Sequence, residues 1–142
     1  MFDGQAASAT DGLRRRTLLE EPGEPVHARS RQAYSLVADV EKLDVRVGTI
    51  LSVDDVPSSS KLLRLSVDFG DHARTILAGM KTERSQPQAL VGLQALFVVN
   101  LEPKRMAGEV SQGMLFDIGF ADGVRPVLAM PEQAVPNGAR AG

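Results

Sequence analysis

The sequence predicts an all-β fold with one or two short helices. Three observations support this: segments with an apolar side chain at every second position, turn clusters between them, and one helical segment between the third and fourth strands. The OB fold, a five-stranded barrel, carries a helix at that point, and it is the best match. With 142 residues, the chain is long enough to bury one core of this size.

The first three strands follow from alternation. Residues 45–53 are rich in β-branched side chains, and a period of two places on one face Val45, Val47, Thr49, Leu51 and Val53. After a turn cluster at 54–60, residues 63–69 alternate apolar and polar side chains, as a half-buried strand does. Gly70 and Asp71 form a tight turn that leads into a third strand over residues 74–80.

The later elements follow from composition. Residues 85–91 predict a short helix, with Ser85 as its N-cap and Pro87 in its first turn. A turn at Asp122 and Gly123 separates the last two strands. Further strands are predicted at residues 95–101, 114–120 and 125–130.

Residues 1–38 differ from the rest of the chain. They contain glycine and proline without a sustained period, and their charges balance, so we expect a flexible N-terminal extension. A short helix near residues 36–43 leads into a single domain over 39–142. The chain has no apolar run that would span a membrane and no secretory signal pattern, so we expect a cytoplasmic protein with no membrane partner.

Composition argues against an enzyme. The absence of cysteine excludes disulfide scaffolds and thiol chemistry, and neither His27 nor His72 has a nucleophile or carboxylate partner by local signature. The chain contains no phosphate-binding glycine motif, and adjacent Asp54 and Asp55 are typical of a turn rather than a metal site. We therefore expect no catalytic residue, no metal and no cofactor.

The segment 100–114 (NLEPKRMAGEVSQGM) carries the strongest sign of a binding function. In an OB barrel it is the loop between strands 4 and 5, which forms one wall of the ligand groove. Lys104 and Arg105 can neutralise phosphates, and Ser111 and Gln112 can bond a sugar or a base edge. A solvated hairpin loop is the alternative interpretation of the same residues. Candidate cations that extend this wall are Arg46 and Lys61, with Arg64, Arg74, Lys81 and Arg84 as flanking positions.

The few aromatic residues indicate what kind of nucleic acid is expected. The chain has no Trp, one Tyr and five Phe, and Phe69 and Phe97 are expected to face the core. Binding of single strands depends on aromatic stacking, so a folded RNA recognised by shape and backbone is the better hypothesis.

Five blocks of sequence together resemble the tRNA-binding OB domain, which occurs at the C-terminus of methionyl-tRNA synthetases and as stand-alone tRNA-binding proteins. The resemblance covers about residues 36–142. The blocks are 43–50 (LDVRVGTI), 57–62 (PSSSKL), 100–108 (NLEPKRMAG), 111–114 (SQGM) and 135–138 (VPNG).

The resemblance implies a homodimer that binds tRNA mainly by shape, with a C-terminal extension after the barrel. The implied tRNA-binding residues are Arg46, Lys61, Asn100, Lys104, Arg105, Ser111 and Gln112. The implied dimer interface lies in residues 131–138, at Pro131, Val135, Pro136 and Asn137. Two positions depart from the family pattern: residues 58–60 are all serine, and residue 107 is alanine where a basic residue is frequent.

Two other hypotheses remain open. Residues 118–123 and 127–132 are similar to the CsaA export chaperones, which implies a dimer that binds unfolded polypeptides. A purely structural assembly module is the third. The expected partners of this protein are tRNA and a second copy of the chain. An aminoacyl-tRNA synthetase or a polypeptide client is a further possible partner.

The net charge of −2, from 16 basic and 18 acidic residues, is averaged over the whole surface and leaves room for a local basic face.

Overall fold

The computed structural model describes residues 33–142, and it confirms the mostly β architecture. In that range lie helix α1 (Val37–Glu41) and two 3₁₀ helices (Pro87–Leu90 and Phe120–Asp122). The strands of the sheet and its hairpins are β1 (Val45–Asp55), β2 (Leu63–Asp68), β3 (Ala73–Ala78), β4 (Gln94–Val98), β5 (Lys104–Met106), β6 (Glu109–Ser111), β7 (Met114–Leu115), β8 (Asp117–Ile118), β9 (Val127–Leu128) and β10 (Arg140–Ala141).

Strand β1 organises the barrel because it is shared between several partners. Its residues 45–49 pair with β4 and its residues 49–55 with β2, both antiparallel. The sheet order is β3-β2-β1-β4-β7, and β10 pairs with the start of β1. Gln112 N donates to the carbonyl oxygen of Thr75 at 2.8 Å, which joins the end of β6 to the outer edge of β3. This curled antiparallel sheet is the predicted OB barrel with its C-terminal extension.

The alternation predicted for the second strand is confirmed. Leu63, Leu65 and Val67 are buried, while the residues between them are partly exposed. Phe69 and Phe97 are both buried in the core, as predicted. Their rings pack edge to face, with 5.6 Å between the ring centres. Pairing between distant strands therefore buries the side chains that the two-residue period predicted to face the core.

A β-bulge in β1 corrects the predicted face of Leu51. The register with β2 shifts between Ile50 and Ser52, so one extra residue of β1 lies opposite the partner strand. Ile50 is fully buried, whereas Leu51 is 49% exposed. Strand β1 therefore presents Gly48 and Ile50 to the core before the bulge and Val53 after it. The predicted face was right for Val53 but wrong for Val47, which is buried outside the core cluster, and for Thr49, which bonds Asn137 of the C-terminal segment.

Two predicted elements differ in detail. The helical segment is the single 3₁₀ turn Pro87–Leu90; its N-cap is Gln86 without a side-chain hydrogen bond, so Ser85 as the cap was wrong. The strand predicted at 114–120 divides into β7 and β8, because β7 pairs with β4 while β8 turns away to pair with β9.

The predicted helix before the barrel is confirmed as α1. Residues 1–32 of the predicted N-terminal extension lie outside the described residues. Within residues 33–142, none of the helices has both the length and the apolar character needed to cross a membrane.

The C-terminal segment packs on the barrel from which it emerges. Asn137 Oδ1 accepts hydrogen bonds from Thr49 Oγ1 at 2.8 Å and from Gln94 Nε2 at 2.9 Å. Gly138 N donates to the carbonyl oxygen of Val47 at 2.7 Å. These contacts place β10 beside the start of β1 and complete one wall of an open cleft.

Candidate nucleic-acid interface

Strands β5 and β6 form a hairpin in the segment that the sequence predicted as a loop. Arg105 pairs with Val110, and Lys104 with Ser111. The two-residue turn is Ala107 and Gly108, with φ angles of 51° and 82°. Positive φ at both central positions is the geometry that matches the twist of two-residue hairpins, and Gly108 adopts it without strain.

Two side-chain contacts hold the outer part of this hairpin against the barrel. Arg64 Nη1 on β2 lies 2.8 Å from both carboxylate oxygens of Glu109. Ser58 Oγ, in the turn between β1 and β2, donates to the carbonyl oxygen of Ala107 at 2.9 Å. Glu109 neutralises the charge of Arg64, so this flanking cation anchors the hairpin.

The base of the hairpin is fixed by Ser111 and Gln112. Ser111 is 2% exposed; its Oγ accepts from Leu77 N at 3.0 Å and donates to the carbonyl oxygen of Gly113 at 2.8 Å. Gln112 Oε1 accepts from Thr75 N at 2.8 Å. Both side chains therefore bond β3 or the loop itself, and the buried Ser111 hydroxyl is not accessible to a ligand.

Three exposed cations lie on the hairpin or in the β1–β2 turn beside it. We call them the hairpin surface: Lys61, Lys104 and Arg105. None of them forms an ion pair with another residue of 33–142. Lys61 belongs to the same β1–β2 turn as Ser58, which contacts the hairpin tip. Lys81 differs, because its Nζ is 2.5 Å from Asp55 Oδ1 and also bonds two carbonyl oxygens of that turn.

Arg46 lies in a separate open cleft of 590 Å³, which we call the base cleft. Its Nε is 2.6 Å from Asp44 Oδ1, and its Nη1 donates to the carbonyl oxygen of Gly138 at 3.1 Å. The hydrogen bond from Arg46 lowers the pKa of Asp44, burial opposes this, and the charges of Arg140 and Arg74 add to the lowering. The base cleft is lined by Asp44, Arg46, Phe69, Gly70, Asp71, His72, Arg74, Val99, Asn137 and Gly138.

Arg74 links the base cleft to the hairpin. Its Nη1 donates to the carbonyl oxygens of Val99 at 2.6 Å and Gln112 at 3.2 Å, and its Nε contacts His72 Nε2 at 3.0 Å. Its guanidinium carbon lies 5.9 Å from the centre of the Phe69 ring. His72 also stacks on Phe69, with 5.8 Å between ring centres.

Asn100 connects the end of β4 to the start of the domain. Its Oδ1 accepts from Asp44 N at 2.8 Å, and its Nδ2 donates to the carbonyl oxygen of Lys42 at 2.6 Å. Both polar groups of the amide are engaged with backbone, so Asn100 positions Asp44 beside Arg46.

The residues implied for a dimer interface make contacts within their own chain. Val135 exchanges two hydrogen bonds with the side-chain amide of Gln94, at 2.7 and 3.1 Å, and Asn137 contacts three strands. Pro136 is exposed and Pro131 half-exposed. Large apolar side chains just before this segment are exposed, and we call them the apolar strip: Met114, Phe116, Ile118, Phe120, Val127 and Met130.

An OB barrel with an anchored basic hairpin between β4 and β7 agrees with a comparison of the sequence to protein families. The family model described as "Putative tRNA binding domain" matches residues 45–140, more than half of the chain. The chain belongs to the tRNA-binding domain family. Its similarity extends to longer proteins and to solved structures.

The curated relatives are methionine–tRNA ligases. The ligase of Pyrococcus abyssi is 42% identical over 110 residues, which cover 78% of this tRNA-binding domain chain and 15% of the ligase. The ligase of Bacteroides fragilis (strain YCH46) is 41% identical over 100 residues, 70% of this chain and 14% of the ligase. The chain therefore spans about a seventh of the length of these relatives.

Two solved structures share the fold over their whole length. A methionyl-tRNA-synthetase-related protein from Pyrococcus horikoshii superposes with a TM-score of 0.71 at 34% identity, covering 79% of this chain and 100% of that one. The chaperone CsaA from Bacillus anthracis gives a TM-score of 0.68 at 32% identity, covering 78% and 100%. The tRNA-binding domain is thus similar both to synthetase-related proteins and to a chaperone.

The cations that the sequence predicted to form one basic wall lie at two separate places in the structure. Lys61, Lys104 and Arg105 lie on the hairpin surface, while Arg46 lies in the base cleft with Arg74. The sequence pattern places His72 in an exposed turn and does not indicate Arg140, which pairs with Arg46 across β10. The β10 pairing is short and lacks a periodic pattern, so only the three-dimensional structure places Arg140 there.

Proposed function

We propose that this tRNA-binding domain binds tRNA through the hairpin surface, without catalysing a reaction, and does so in the cytoplasm. The observation that carries the proposal is the anchored β5–β6 hairpin, which presents Lys104 and Arg105 without ion-pair partners among residues 33–142. Cations of this kind bind the phosphate backbone and release its counterions. The family match and the similarity to methionine–tRNA ligases support tRNA as the polyanion.

Recognition by shape fits these residues better than recognition of bases. The hairpin surface offers long flexible cations, whereas both polar atoms of the Asn100 amide and the Oε1 of Gln112 already bond the protein backbone. Phosphate contacts position a protein on RNA but carry no direct sequence information. We therefore expect selectivity for the folded form of tRNA, with little preference among tRNAs of different sequence.

We further propose that two copies associate to form a homodimer. The apolar strip is 38–66% exposed, and it leads directly into residues 131–138, the segment that the sequence implied as the interface. Three residues of the strip, Met114, Phe116 and Phe120, line one groove, and clustered exposed apolar side chains on a small domain are typical of an interaction site. A second copy would cover the strip and present two hairpin surfaces to one tRNA, which raises the affinity through multivalency.

Binding of polypeptide is the second candidate function, because the same apolar strip would suit an unfolded client. Met114, Phe116 and Phe120 line a shallow groove of 440 Å³ with residues 77–80 and Pro126. The structural similarity to the chaperone CsaA gives this alternative its support. A synthetase that receives the tRNA in trans would be a further partner under the first proposal.

A competition experiment separates the two functions. Fluorescently labelled tRNA is titrated with the protein at physiological salt, and a chemically denatured protein is then added as competitor. The proposed function predicts that tRNA binds and that unlabelled tRNA, not the denatured protein, displaces it. Binding of the denatured protein without binding of tRNA would overturn the tRNA proposal in favour of the chaperone alternative.

A further inference from the structure

The base cleft has the size and rigidity of a small-molecule site. Its volume of 590 Å³ is in the range of pockets that hold ligands the size of a nucleotide. Its floor is tightly packed: a Cβ atom on Gly70 would lie 2.7 Å from the carbonyl oxygen of Asn137, and one on Gly138 would lie 2.5 Å from that of Phe69. The cleft is therefore preformed, and a ligand would not have to open it.

One cation of the cleft, Arg74, is available to an anion, although Asp44 and Asp71 balance the formal charge of the two arginines that line the cleft. Three guanidinium groups, those of Arg46, Arg74 and Arg140, lie close enough to Asp44 to lower its pKa, and Arg46 holds both carboxylate oxygens. Arg74 bonds only neutral acceptors among residues 33–142, namely two carbonyl oxygens and a ring nitrogen of His72. Its Nη2 makes no hydrogen bond with those residues, so a charged donor is available to an anionic ligand.

The cleft also contains a stacking surface that the aromatic count did not reveal. Phe69 is 4% exposed and supports the imidazole of His72 at 5.8 Å and 28° between ring planes. The His72 side chain is 47% exposed, so part of the ring is open to solvent while one side packs against Phe69. Contacts with Asp71 Oδ1 at 2.5 Å and Arg74 Nε at 3.0 Å fix the ring in this position. A fixed, half-exposed ring is a surface on which a base can stack.

Asp71 decides on which side of His72 an anion lies. Its carboxylate is 89% exposed and sits at Nδ1 of the ring, where it repels phosphate. Arg74 is at the opposite nitrogen, Nε2, and its Nη1 reaches the carbonyl oxygen of Gln112 at the end of the hairpin. An anion is therefore expected on the Arg74 side, where Arg74 contacts Gln112, the residue that follows β6.

We propose that the base cleft receives one unstacked nucleotide of the bound RNA, with its phosphate at the guanidinium of Arg74 and its base on the open face of His72. The inference rests on the proposed function, because the RNA reaches the cleft from the hairpin surface. It adds to that function a preference for RNA with an unpaired nucleotide. Recognition of backbone alone would not distinguish such an RNA from a continuous duplex.

Two RNA duplexes of equal length, one fully paired and one with a single bulged nucleotide, test the inference with the full chain. The wild type should bind the bulged duplex about tenfold more tightly, the effect of one stacked base. His72→Leu should remove that difference and leave binding of the paired duplex unchanged, whereas His72→Phe, which keeps a ring, should retain most of it. Circular dichroism and thermal unfolding of each variant establish that it is folded.

The outcomes separate the two proposals. If the wild type binds both duplexes equally, or if His72→Leu weakens both to the same degree, the nucleotide site is wrong although RNA binding stands. If neither duplex nor tRNA binds, the proposed function fails. If a denatured protein, and not the bulged duplex, protects the His72 ring protons in NMR spectra, the cleft binds polypeptide and the inference is overturned.

Discussion

Arg46 and Arg140 lie directly opposite each other across β1 and β10, and both contact the carboxylate of Asp44. Like charges at directly opposed positions of two strands destabilise a sheet. Asp44 Oδ1 is 2.6 Å from Arg46 Nε and 3.7 Å from Arg140 Nε, so one carboxylate compensates two guanidinium groups. The last strand of the barrel therefore depends on a residue that precedes the first strand.

Asp44→Asn should weaken this junction and change its response to pH. The amide keeps the shape but leaves two cations facing each other, and we expect a loss of up to about 1 kcal/mol in the free energy of unfolding because the groups are partly exposed. The pKa of Asp44 is lowered in the folded state, first by the hydrogen bond from Arg46, so its contribution is present above about pH 4 and is lost as the pH falls below that value.

Urea unfolding measured at several pH values between about 3 and 7 checks this prediction. The stability of the Asp44→Asn variant should fall less on acidification than that of the wild type. Asp39→Asn is the matched control, since Asp39 of α1 forms an exposed pair with Lys42, the C-cap of that helix. Equal acid sensitivity of the wild type and the Asp44 variant would show that this carboxylate does not stabilise the junction.

Ser111→Ala should destabilise the fold and disorder the base of the hairpin. It removes the acceptor of the buried Leu77 N–H and the donor to the carbonyl oxygen of Gly113. Leaving a buried N–H unsatisfied costs about 1–3 kcal/mol. Chemical denaturation measures the loss, and Ser66→Ala on β2, whose hydroxyl makes no hydrogen bond with residues 33–142, should lose much less. A loss no larger than that of the control would contradict the anchoring role.

Phe120→Glu should convert the proposed dimer to a monomer. Phe120, at 66%, is the most exposed residue of the apolar strip, so a carboxylate there opposes association without disturbing the core. Sedimentation velocity measures the state, and Leu51→Glu, which is on the bulge of β1, should remain a dimer. Deleting residues 131–142 is a poorer test, because Asn137 and β10 hold the barrel together. A monomeric wild type, or a dimeric Phe120→Glu variant, would refute this interface.

The fold was predictable from the sequence where local pattern and tertiary contacts agree. Alternation in residues 63–67 identified a strand with the correct buried face, because one side of the sheet meets the core and the other does not. At Leu51 the pattern failed, since β-branched and apolar residues occupy both phases of β1 and cannot indicate a bulge. The bulge is set by pairing with β2, which is not a local property.

The candidate site was predictable only in part. The cations of the hairpin surface are visible in the spacing of residues 100–114, but the hairpin itself depends on Arg64 and Ser58, which lie far from it in sequence. The sequence does not indicate that His72 stacks on an aromatic ring. Its partner Phe69 has the pattern of a core residue, and only the structure shows that Phe69 also contacts the imidazole. Long-range contacts therefore decide which polar residues anchor the loop and which remain free to bind.

Binding of tRNA by the double variant Lys104→Ala with Arg105→Ala, measured across a series of salt concentrations, tests the central claim most directly. We predict weaker binding and a flatter plot of log K against log salt, by about 0.7–0.9 for each phosphate that the variant no longer neutralises. The charge-matched control, Lys42→Ala with Arg125→Ala, should keep the wild-type slope. An affinity and a slope that are unchanged in the hairpin variant, or reduced equally in the control, would contradict the assignment of tRNA binding to the hairpin surface.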